Sequence, residues 1–134
     1  MPPPTRQAAA RIVHMALIAG IVVLTVVLAV LPMPAAVQPR LQVLLVYLAF
    51  GFGAVGCAAS LLLASRLPRE ELRAAEAWWD AHFGEVMIIW VLLDGPAVFG
   101  AVAHFLSGSP LPLVVTAVAL LLFVLQAPQR LRGG

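Results

Sequence analysis

Residues 86–106 read VMIIWVLLDGPAVFGAVAHFL, an apolar run interrupted by one acid, Asp94, and one proline, Pro96. The run holds 21 residues, which at about 1.5 Å each spans roughly 30 Å, the thickness of a bilayer's hydrocarbon core. Three further apolar runs accompany it, and the expected membrane spans are 12–31, 43–63, 86–106 and 110–127. The last reaches spanning length only by including Pro110, Gln126 and Ala127, which suits a locally thinned bilayer. Helix is the expected conformation, because lipid offers no partner for open backbone N–H and C=O groups. A barrel strand would be about half as long and would alternate in polarity. The expected fold is therefore all-α: one domain over 1–134, an integral membrane bundle of four transmembrane helices forming two hairpins.

Composition agrees. Of 134 residues, 63% are hydrophobic and 10% charged, against roughly 25% charged in an average soluble domain. The chain has too little charge to coat a soluble globule. Its one cysteine excludes an internal disulfide framework and a cysteine zinc site. Arg6 and Arg11 resemble the start of a signal peptide, but the apolar run after them exceeds the usual core of roughly 7–15 residues. Cleavage after Ala36 would also place Pro34 where a small residue is wanted, so the first helix is expected to stay.

Arginines set the expected orientation. Arg6 and Arg11 precede the first span, Arg66, Arg69 and Arg73 lie in the central loop, and Arg130 and Arg132 follow the last span. The two remaining loops hold only Arg40. This places both termini and the central loop in the cytoplasm, N-in and C-in, across a cell's inner (cytoplasmic) membrane. The formal net charge is only +2, without a basic cluster, so nucleic-acid binding is not expected. The expected partners are the lipid bilayer and either further copies of the chain or another subunit of a membrane complex.

Between the second and third spans, residues 68–83 read as a short cytoplasmic interfacial helix. Pro68 suits a first helical turn, and Glu70 and Glu71 fall where the helix dipole favours negative charge. Leu72, Ala75, Trp79 and Phe83 form an apolar stripe at three- and four-residue spacing. Trp78, Trp79 and Phe83 are expected to anchor it at the headgroup level, with Gly84 as the joint to the membrane span.

Asp94 is the residue most able to carry chemistry. An ionised aspartate at a helix centre costs about 2.5–3.5 kcal/mol on insertion scales, and intramembrane acids usually mark functional sites. No arginine or lysine lies within the spans to pair with it. Pro96 removes the hydrogen bond that the Leu92 carbonyl would accept. The expected ion site is therefore Asp94 with the carbonyl of Leu92 at the Pro96 break, as at broken helices in transporters. The alternative is a neutral Asp94 that bonds a carbonyl and locks helix packing. On the second span, Gly53, Gly56, Cys57 and Ser60 share a face, with Gly51 close by, and Ala97 and Ala101 lie on the Asp94 side of the third. Small residues at this spacing let helices approach closely.

Other chemistry is not expected. His14, His82 and His104 are scattered, no acid pair or His/Cys cluster has metal-ligand spacing, and Ser107 and Ser109 lack an orienting acid. The glycines from Gly51 to Gly56 lie inside a membrane helix and are no nucleotide fingerprint. No enzyme activity, metal or cofactor is expected.

The stretch from Phe50 to Phe105 resembles the hairpin of ATP synthase subunit c. A glycine-rich helix (Gly51, Gly53, Gly56), an Arg66-Leu67-Pro68 turn and a second helix with one mid-membrane carboxylate follow that family's order. The resemblance implies a proteolipid-like protein in which Asp94 takes the place of the ion-binding carboxylate. The incomplete glycine series, the longer acidic loop, Pro96 and two extra helices depart from that pattern. The whole layout is also similar to uncharacterised bacterial four-helix membrane proteins with an acid-Gly-Pro in the third helix. Two functions are thus expected in competition: binding of a proton or cation at Asp94, or a non-catalytic structural or assembly role in a larger membrane complex.

Overall fold

A computed structural model describes residues 2, 5–34, 38–69 and 75–131. Among them there is helix and no strand: α1 Arg6–Val30, α2 Pro39–Ser65, α3 Ala75–Ser107, α4 Leu111–Leu125 and a short α5 Pro128–Leu131. Three of these, α1, α2 and α3, are long and apolar enough to cross a membrane. Their outer faces carry exposed Val22, Val26, Leu44, Val55 and Val91, a surface that suits lipid and not water.

The helix ends follow local chemistry. Thr5 caps α1 by accepting a hydrogen bond from the Ala8 N–H at 3.2 Å. Pro39 opens α2, where its missing N–H costs nothing. Gly108, at a φ of 69°, turns the chain out of α3, and its N–H donates to the His104 carbonyl at 2.9 Å.

One expectation is corrected by the element boundaries. The segment before the third span is not a separate interfacial helix: Ala75–Phe83 is the start of α3, which continues through Gly84 without a break. Residues 70–74 of that expected helix lie outside the described residues. One helical glycine costs only about 1 kcal/mol relative to alanine, and buried Trp79 and Val86 hold the helix on either side of it. The fourth apolar run forms a helix of 15 residues, about 22 Å long. It omits Pro110, Gln126 and Ala127, the residues needed to reach spanning length.

The bundle is built around α3. Half of its most apolar stretch is buried, against 11% for α1 and 22% for α2. Arg6 meets Glu76 and Asp80, and His14 meets Trp90, so α1 and α3 run parallel. Helix α2 runs antiparallel to α3, with Gly56 beside Leu92 and Pro96 and Phe52 beside Gly95. Helix α4 is also antiparallel to α3, with Thr116 on Ala97 and Phe123 on Trp90. The starts of α1 and α3 and the ends of α2 and α4 therefore lie at one end of the bundle.

Candidate functional site

The middle of α3 has two different sides. On one, Pro96 and the carbonyl of Leu92 lie against Gly56 of α2. A Cβ added at Gly56 would sit 2.5 Å from the Leu92 oxygen and 2.5 Å from Pro96 Cγ. The hydrogen that replaces that Cβ therefore faces the carbonyl that Pro96 leaves without its helical donor, a weak Cα–H···O contact. Gly53 leaves room for the Val115 side chain of α4, and Gly100 of α3 meets Thr116 and the Pro112 carbonyl. Thr116 donates to the Ala97 carbonyl at 2.8 Å. Gly53, Gly56, Ser60, Ala97 and Ala101 are all buried, Cys57 is half-buried, and Ser60 donates to the Cys57 carbonyl. Gly51 is exposed and has nothing near it.

Asp94 stands on the other side. At about 100° per residue, it is roughly 200° around the helix from both Leu92 and Pro96. Its side chain is half-buried and makes no hydrogen bond or ion pair among the described residues. The expected site of Asp94, Leu92 and Pro96 is thus not assembled. The Leu92 oxygen lies against Gly56 of α2, and the helix turn places the Asp94 side chain on a different face. A packing hydrogen bond from a neutral Asp94 to a neighbouring carbonyl is likewise absent among the described residues.

Sequence reasoning missed a second cluster. His14 is 4% exposed, and its Nε2 lies 2.8 Å from the Phe123 carbonyl. Because a carbonyl only accepts, Nε2 carries the proton. The imidazole lies against Trp90 and Phe123, with ring centroids 4.9 and 5.2 Å away. The Trp90 indole N–H donates to the Gln126 carbonyl at 3.0 Å. Phe123 lies in the last turn of α4 and Gln126 is the residue that caps it, and neither carbonyl accepts a backbone hydrogen bond among the described residues. Two side chains from α1 and α3 thus cap α4. The Gln126 amide is buried and its side-chain oxygen and nitrogen have no partner among the described residues. The available signal was the spacing of Ala10, His14 and Ile21, a stripe that is invisible in a helix apolar on every face.

The tryptophans are also placed differently from expectation. Trp78 and Trp79 are buried within the protein, where the sequence suggested rings facing the headgroups. Helix α1 begins at Arg6, well before residue 12, and its first turns bring Ala10 into the same apolar cluster as Trp78 and Trp79. Trp78 donates to the Pro68 carbonyl at 2.8 Å, tying the loop to α3. Phe83 is partly buried, with the Arg6 guanidinium 5.4 Å over its ring. Arg6 also pairs with Asp80 at 3.1 Å.

No group of three or more His, Cys, Asp or Glu side chains among the described residues could hold a metal ion. Comparison with family models, with characterised proteins and with solved structures finds no match to this chain.

Proposed function

We propose that this is a small integral membrane protein whose working group is the Asp94 carboxyl, held in the middle of α3 to take up and release a proton. The observation that carries this reading is the lack of any intramolecular partner for Asp94 among the described residues. A structural aspartate in lipid is expected to spend its hydrogen-bonding capacity on a neighbouring helix. Small cations such as sodium or calcium are held by several oxygens, calcium by about six to eight. One chain offers a lone carboxyl here, since the Leu92 oxygen lies against Gly56. A proton needs only that one group. In this reading α4 completes a four-span bundle in a thinned region of bilayer, with both termini on the cytoplasmic side of the inner membrane.

A hydrophobic carbodiimide reacts with protonated carboxyls inside a membrane and tests the proposal. Labelling should fall on Asp94, decline as pH rises, disappear in Asp94→Asn and be unaffected by sodium. Sodium protection would show that a cation binds in place of the proton. No labelling at any pH between about 5 and 9 would leave Asp94 permanently charged or inaccessible, contrary to the expected neutral form.

A further inference from the structure

Where α2 ends and α3 enters its apolar run, Leu63, Arg66, Glu85, Ile88 and Ile89 line a cavity of 190 Å³. That volume falls below the roughly 300–1,000 Å³ of small-molecule pockets, so it suits a headgroup and not a whole amphiphile. Arg66 caps the end of α2, and Glu85 is the residue just before the apolar run of residues 86–106. Both therefore stand at the depth where a bilayer's headgroups lie. Half-buried Leu63, buried Ile89 and exposed Ile88 supply the apolar part of the wall. The hydrogen bond from Trp78 to the Pro68 carbonyl holds the chain after Arg66 against α3.

Two opposite charges line this cavity without meeting. Arg66 and Glu85 form no ion pair with each other, and the Arg66 side chain has no partner among the described residues. Glu85 Oε2 lies 3.4 Å from His82 Nδ1, while Oε1 has no partner among the described residues. One arginine and one glutamate cancel, so a ligand of either net sign would meet a like charge. A ligand that carries both signs would meet two opposite ones. We infer that the cavity holds the headgroup of phosphatidylethanolamine, its phosphate on Arg66, its ammonium on Glu85 and its acyl chains outside, along Ile88. A guanidinium donates to phosphate oxygens, and a primary ammonium donates to a carboxylate. The quaternary ammonium of choline has no N–H to donate, and a glycerol headgroup has no cation for Glu85. The inference rests on the membrane setting and not on Asp94, so either can fail alone.

Native mass spectrometry of the delipidated full chain tests it, with the dioleoyl forms of phosphatidylethanolamine, phosphatidylcholine and phosphatidylglycerol added in equal amounts. The wild-type chain should retain one phosphatidylethanolamine with about a threefold preference over either rival, within the range that one solvent-facing charge pair supplies. Glu85→Gln should abolish the preference over phosphatidylcholine, and Arg66→Gln should lower retention of all three lipids. Arg40→Gln, at the opposite end of α2, should behave as wild type. Equal retention of phosphatidylethanolamine and phosphatidylcholine by the wild-type chain would overturn the proposal, and so would an unchanged preference in Glu85→Gln. Displacement of the lipid by an equal concentration of water-soluble glycerophosphoethanolamine would also overturn it, by marking a site for the free zwitterion.

Discussion

Gly56→Ala is expected to destabilise the detergent-solubilised protein by about 1–3 kcal/mol, the usual cost of forcing one extra carbon into a packed interface. Gly51→Ala, on the same helix, is expected to leave stability unchanged or slightly raised. The contrast follows from what each new Cβ would meet. At Gly56 it would lie 2.5 Å from the backbone oxygen of Leu92 and 2.5 Å from the Pro96 ring, while at Gly51 it would meet nothing. Neither neighbour at Gly56 can swing aside, since one is main chain and the other a closed ring. Relief would require α2 to move off α3 at Gly56. Thermal unfolding followed by circular dichroism measures both variants. Equal stability of the two would mean that α2 and α3 do not meet at Gly56.

The other large effect is expected at His14. In His14→Leu the Phe123 carbonyl loses its only side-chain donor among the described residues, and a buried acceptor left unpaired costs about 1–3 kcal/mol. Water cannot readily replace the imidazole N–H where the surroundings are Trp90 and Phe123 rings. Trp90→Phe removes the parallel donor to the Gln126 carbonyl while keeping an aromatic ring in place. Both variants should speed amide hydrogen exchange over 123–131 with α2 unaffected. Because the two caps close the same helix end, the double variant should cost less than the sum of the single ones. Unchanged exchange in His14→Leu would show that α4 ends without help from α1.

The legible part of this protein was the part written in runs and repeats. The fourth apolar run forms helix α4 within the expected span of 110–127, and the spacing of Gly53, Gly56 and Ser60 marked the buried face of α2. Both are local patterns that one helix imposes on its own sequence. Asp94 stood out for a similar reason, as a lone acid among apolar residues. What escaped the sequence depends on contacts between distant positions. His14 and Phe123 are separated by 109 residues, and nothing near either one announces the other. Trp78 and Trp79 look like headgroup anchors by position, and the early start of α1 at Arg6 brings Ala10 into the cluster that buries them. The expected pairing of Asp94 with the Leu92 carbonyl counted residues along the chain and overlooked that two steps of a helix turn about 200°.

The state of Asp94 can be read directly by infrared spectroscopy of the chain in bilayers, labelled with carbon-13 at the aspartate side chains. The chain has only two aspartates, Asp80 and Asp94, and Asp80 is exposed and paired with Arg6. At neutral pH, one labelled carbonyl band of an un-ionised carboxylic acid is expected, lost on alkaline titration and missing from Asp94→Asn. Two carboxylate bands at neutral pH, with no acid carbonyl in the wild-type spectrum, would contradict a proton-carrying Asp94.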